Sequence, residues 1–196
     1  MRSITMGQAA LVAAIALVLL TLFDLADNAV LLDDSLLLVV LGSSMPSLVW
    51  AGFFFSVYRS LFAARIAAWI TLVGAVLLES VVTYIRFQQA VSYWTPFGSA
   101  LSRYGWILRI GWAIFLIAFA AAPNRSRTGK IALALAIVSA PLALSTVYDF
   151  WNAGVGLLLS GIPSQSLWRV LITPGVRALY WITQVLFLWI FWRDRA

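Results

Sequence analysis

The chain has 196 residues, 63% hydrophobic and only 10% charged, with a mean hydropathy of +0.98. A soluble globule carries about 25% charge, so this composition excludes a water-covered surface and makes lipid the main solvent. The net charge of +6 does not indicate nucleic acid, because the basic residues are scattered into short connecting segments instead of gathered on one face.

Cysteine and histidine are both absent. Disulfides, thiolate nucleophiles, Cys/His zinc sites, iron–sulfur clusters and His-ligated haem are therefore excluded, each needing sulfur or imidazole donors. The one lysine, Lys130, stands beside Arg125 and Arg127 at a segment edge, where no buried Schiff base forms. No cofactor and no metal is expected.

A bilayer core of about 30 Å is spanned by about 20 apolar residues of helix. Six stretches approach that length, near 6–24, 36–57, 64–86, 104–122, 130–149 and 168–192. The expectation is an all-α, polytopic membrane protein: one integral domain over 1–196, a six-transmembrane-helix bundle with short loops and interfacial segments on the outer side.

The first stretch follows Arg2 and could be read as a signal peptide ending at Ala29. The apolar run is long for that role, and Asp27 would occupy the minus-three position where a small residue is wanted. An uncleaved first helix is the better reading. Ala9/Ala13 and Ala10/Ala14 form ridges of small residues suited to close helix packing. Asp24, Asp27 and Asn28 end this helix, and Asp33-Asp34 precede the next, where negative charge favours a helix N-terminus.

Pro46 stands in Gly42-Ser43-Ser44-Met45-Pro46-Ser47, inside the second stretch, and Pro141 follows Ser139-Ala140 inside the fifth. Loss of an amide at each predicts a kink. Equivalent interruptions in the second and fifth helices would suit a 3+3 inverted duplication, a pattern associated with transport sites.

The third stretch carries Glu79, Thr83 and Arg86 on one face. The connection 88–102, with Tyr93, Trp94, Pro96 and Phe97, reads as a segment lying at headgroup depth. Arg109 falls about a turn and a half into the fourth stretch. The turn Pro123 to Lys130 holds three cations and no acid. On the fifth stretch Ala132/Ala136/Ala140 form another ridge, and Asp149 and Asn152 close it. Residues 150–162, loosened by three glycines and bounded by Pro163, read as an interfacial or re-entrant piece outside the main bundle. In the sixth stretch Pro174 falls near the start, where proline is tolerated, and Arg177, Tyr180, Trp181 and Gln184 share a face.

With the N-terminus inside, one side collects eight cations against the single acid Asp194, a balance of +7; the other holds five cations against six acids, −1. The positive-inside rule then places both termini in the cytoplasm of an inner or plasma membrane.

Glu79, Arg109 and Arg177 are the charges that break into apolar helices, and an unpaired charge there costs at least about 2.5 kcal/mol. They are expected to pair, or to line an outward-facing polar cavity between the third, fourth and sixth helices. The candidate ligand-binding residues are Glu79, Arg109, Arg177, Tyr180, Gln184 and Asp149. A purely structural salt bridge is the competing account, and snorkelling to headgroups is a third for Arg109. Asp24, Asp27, Asn28, Asp149 and Asn152 could supply oxygens to a hard cation, but their spacing matches no dedicated loop. Of ten tryptophans, Trp50, Trp69, Trp112 and Trp181 lie deep enough to line a pocket or simply pack.

Three function classes follow. The first is a small transporter or ligand-binding membrane protein taking a small polar or anionic ligand. The second is a structural subunit that docks a membrane-protein partner through its alanine ridges. The third, an enzyme, has only Glu79 as a deep acid and no recognisable nucleophile or phosphotransfer motif. The lipid bilayer is the one partner common to all three.

Overall fold

Thr5 and Gln8 close a capping box at the head of the first helix. The Thr5 amide donates to Gln8 Oε1 at 3.0 Å and the Gln8 amide donates to Thr5 Oγ1 at 3.3 Å, so two amides that no helical carbonyl reaches are satisfied locally. The computed structural model describes residues 5–29, 44–77, 96–121, 125–160 and 164–194. Among them lie six helices and no strand: α1 Met6–Ala29, α2 Met45–Arg59, α3 Leu61–Thr71 continued by a π-helical stretch Leu72–Leu77, α4 Pro96–Ala121, α5 Arg125–Ser160 and α6 Ser164–Arg193.

Ser60 alone connects α2 to α3. Its extended backbone (φ −165°, ψ 132°) breaks the helix, its amide donates to the Ser56 carbonyl at 2.8 Å, and its hydroxyl accepts from the Ala63 amide at 3.4 Å. One serine thus ends one helix and caps the next. Within helices the hydroxyls turn onto their own backbone: Thr21 donates to the Leu17 carbonyl at 2.9 Å and Thr71 to the Ala67 carbonyl at 2.8 Å. That is the arrangement apolar surroundings favour.

Consecutive helices run antiparallel. Gly7 near the start of α1 faces Tyr58 at the end of α2, Gly74 faces Val49, and Gly154 on α5 faces Leu171 on α6. The Thr128 hydroxyl of α5 donates to the Ala118 carbonyl of α4. Each helix packs on its neighbours in sequence, and α6 returns to α1, closing a ring.

The interior of the ring follows a simple division. Buried residues on α1, α3 and α5 are mostly small: Ala9, Ala10, Ala13, Ala14 and Ala16; Ala64, Ala68 and Ala75; Ala132, Ala136 and Ala143. Among the described residues, buried aromatic rings come only from α2, α4 and α6: Trp50, Phe53 and Phe54; Trp112, Phe115 and Phe119; Phe187 and Phe191. Small residues let backbones approach closely, and the rings meet in the space between them. Phe54 meets Phe187 edge-on at 5.0 Å, Phe53 meets Phe119 at 5.6 Å, and Phe115 meets Phe191 at 5.3 Å. These rings plug the half of the bundle nearer the chain termini. The predicted alanine ridges are therefore used up in internal packing. The second and fifth helices, which a 3+3 duplication would equate, contribute different surfaces: rings from α2, alanines from α5.

The outer faces are apolar all round, with Ile15, Phe62, Ile66, Ile70, Ile110, Ile137 and Leu186 exposed. Three described helices are long and apolar enough to cross a membrane, Met6–Phe23, Ser126–Gly156 and Pro174–Arg193; Leu61–Val76 and Trp106–Ala121 are shorter apolar segments.

The helices correct several expected boundaries. Residues 150–160 are not a separate interfacial piece: α5 continues unbroken to Ser160 and packs on α6, the Phe150 ring lying 3.1 Å from where a Cβ on Gly175 would be. Gly154 faces the Leu171 side chain of α6 there, and nothing lies within 4 Å of a Cβ on Gly156, yet the helix runs through both. Residues 96–102, expected at the membrane surface, are the first turns of α4. Pro174 is interior, because α6 begins at Ser164. Pro46, expected at mid-depth, stands in the first turn of α2, behind a π-helical Ser44, where its missing amide leaves fewer bonds unmade. Pro141 is interior to α5, as expected, and the helix runs across it.

Candidate functional site

Above the aromatic plug, on the side away from the chain termini, α2, the π-helical stretch, α4, α5 and α6 enclose a cavity of about 180 Å³. Trp50 and Trp112 form its boundary with the plug, their ring centroids 4.9 Å apart with planes at 69°. Trp181 and Tyr180 add a second aromatic wall, tilted against each other at 5.0 Å. Val76, Leu108 and Leu142 fill the remaining apolar surface.

Two polar side chains break this lining. Arg109 is half-buried, and its guanidinium carbon lies 5.5 Å from the centre of the Trp106 ring, one turn back along α4, within cation–π range. Gln184 is only 2% exposed, and its Oε1 has no hydrogen-bond partner among the described residues. An unsatisfied buried carbonyl oxygen costs about 1 to 3 kcal/mol, so the position calls for a donor. The same turn of α6 holds Thr183, whose hydroxyl donates to the Tyr180 carbonyl at 2.8 Å and so is already satisfied. Gln184 is the cavity's open acceptor.

Of the candidate residues read from sequence, Arg109, Tyr180 and Gln184 come together in this cavity. Arg177 does not line it. Ala178 is the buried position of that turn, and Arg177, one residue round the helix, is exposed. Asp149 is likewise exposed, on the extension of α5 with Asn152. Glu79, Asp33 and Asp34 lie outside the described residues, as do the side chains of Asp24 and Asp27. Among the described residues no three acidic side chains gather. Of the deep tryptophans, Trp50, Trp112 and Trp181 reach the cavity, while Trp69 is exposed on the outside of α3.

Sequence reading missed Val76, Leu108 and Leu142, ordinary aliphatics with nothing to distinguish them. It also missed the π-helical stretch. There the i→i+5 pattern changes the rotation of the helix, and the consecutive residues Ala75 and Val76 are both buried. Gly74 in the middle of an apolar run is the only local hint. Comparison of the chain with protein-family models, with curated proteins and with solved structures found no match.

Proposed function

We propose that this chain is a small integral membrane protein, spanning six times with both termini cytoplasmic, that binds a compact polar or anionic molecule in the cavity between its helices. The apolar outer faces and the cationic connections support the membrane placement. The observation that carries the binding role is Gln184 Oε1, buried in the cavity wall without a donor among the described residues.

The chemistry of the lining describes the ligand. A cavity of about 150 Å³ accommodates one benzene-sized molecule, so a volume of about 180 Å³ suits a single ring or a short branched chain. Tryptophan and tyrosine faces receive an apolar body, Arg109 receives an acceptor or negative group, and Gln184 receives an N–H or O–H donor. Transport is the natural extension of this reading, and it requires the plug around Phe54, Phe115 and Phe187 to part. The alternative, a subunit that docks a membrane-protein partner, would have to use a surface other than the alanine ridges, most of which pack internally.

Benzoate and benzamide serve as probes, one offering a carboxylate to Arg109 and the other an amide donor to Gln184. In detergent, both are expected to raise the melting midpoint and quench tryptophan fluorescence. Arg109→Gln should remove the benzoate response, and Gln184→Leu the benzamide response. If neither probe, nor any compact acid or amide of that size, shifts the wild-type midpoint, the binding role is refuted.

A further inference from the structure

A second recess lies on the opposite side of α4, along its outer seam with α5. It has two adjoining parts: an upper one of about 280 Å³ beside Ile107, Gly111 and Ala134 and a lower one of about 440 Å³ beside Ala118 and Arg127, with Ile114 and Ile131 as shared walls. Small residues create it. Gly111 has no Cβ because Leu135 Cδ1 stands 2.8 Å from that position, and Ala118, Ala121 and Ala134 leave the seam shallow and open. Ile107, Ile114 and Ile117 remain 45 to 56% exposed, while Ile131 is half-buried.

The recess is polar at one end only. Ile107 to Ala121 is fifteen residues of helix, about 21 Å over its fourteen steps of 1.5 Å, more than one leaflet of a hydrocarbon core about 30 Å thick. Arg127 is the charged residue in the lining, Thr128 lies beside it, and exposed Lys130 follows within a turn. No aspartate or glutamate occurs in the sequence between Glu79 and Asp149, so neither α4 nor the first six turns of α5 offers a competing acid.

We propose that the α4–α5 seam holds one acyl chain of an anionic phospholipid, with its phosphate at Arg127. The apolar length matches a chain, and the cationic end sits where a cytoplasmic headgroup would lie, the side on which basic recesses between helices take anionic lipids. This proposal rests on the membrane placement above, but its failure is distinguishable. A protein that leaves the membrane fraction without detergent would refute the placement itself, whereas a membrane-extracted protein indifferent to headgroup would refute only the lipid site.

The test uses the full chain in uncharged detergent, read by melting midpoint and native mass spectrometry. Added phosphatidylglycerol should raise the midpoint by several degrees more than phosphatidylcholine with the same chains, and should give a single-lipid adduct. Arg127→Gln should abolish that excess, read against the variant's own midpoint in detergent alone. Arg59→Gln, at the same end on α2, should leave the excess intact. Ala134→Phe, which fills the seam, should reduce the response to both lipids. Four outcomes overturn the proposal: an excess that survives Arg127→Gln, an equal loss with Arg59→Gln, an equal response to inorganic phosphate alone, or a dimer that Ala134→Phe dissolves, which would make a second copy the occupant.

Discussion

Trp50 on α2 and Trp112 on α4 meet edge to face with ring centroids 4.9 Å apart, and this one contact is both the base of the cavity and the edge of the aromatic plug. Edge-to-face pairs contribute about 0.5 to 1.5 kcal/mol beyond their buried area. Trp112→Ala should therefore cost about 3 to 5 kcal/mol by leaving a void between the helices. A double-mutant cycle of Trp50→Leu with Trp112→Leu, read by denaturant titration in micelles, should show coupling of about 1 kcal/mol. Strict additivity would mean the rings do not support one another.

Gln184→Leu should separate stability from binding. The leucine removes a buried acceptor that has no donor, so the empty protein should gain about 1 kcal/mol or more while losing its response to benzamide. A destabilised variant would mean that the oxygen is satisfied by water in the protein as purified.

The glycines of α2 and α6 should respond in opposite directions. Nothing lies within 4 Å of a Cβ placed on Gly52, so Gly52→Ala should stabilise by up to about 1 kcal/mol through helix propensity. On α6, Gly175→Leu must displace the Phe150 ring, already 3.1 Å from the Cβ position, and should destabilise by about 1 to 3 kcal/mol through overpacking. Melting midpoints of the two variants check both signs.

Orientation is tested by a reporter fused at the C-terminus and by labelling of single cysteines placed in the segment 125–130. The charge partition predicts a cytoplasmic signal at both. An external signal at both would invert the protein and move the cavity to the cytoplasmic side.

A counter-ion role for Glu79 toward Arg109 has its own signature. Glu79→Gln alone would leave a charge uncompensated and lower the midpoint, and adding Arg109→Gln would partly restore it. Purely additive losses would exclude the pairing.

The helix pattern was legible because twenty-residue apolar runs and their charged breaks are coarse signals that survive any local packing. Tyr180 and Gln184 could be picked out by the same logic: polar groups in an apolar helix must face something other than lipid, and both line the cavity. Arg177 satisfies that rule differently, because its long side chain reaches out while Ala178 takes the inward position. Helix ends were misjudged at 96–102 and 150–160. Aromatic and glycine-rich composition reads as an interface or a break, yet α5 runs on through Gly154 and Gly156, with Gly154 set against Leu171 of α6.

Composition and periodicity alone determined that the described residues are helical and apolar, that the chain holds neither cysteine nor histidine, and that cations gather along one set of connections. Those properties depend on each residue's own solvation and on its neighbours along the chain. Only the tertiary structure decided that alanines from α1, α3 and α5 frame rings from α2, α4 and α6, and that a π-helical stretch carries Val76 to a cavity wall. It also decided that Gln184 faces that cavity without a partner, because such relations depend on which helices become neighbours and how each is rotated about its axis.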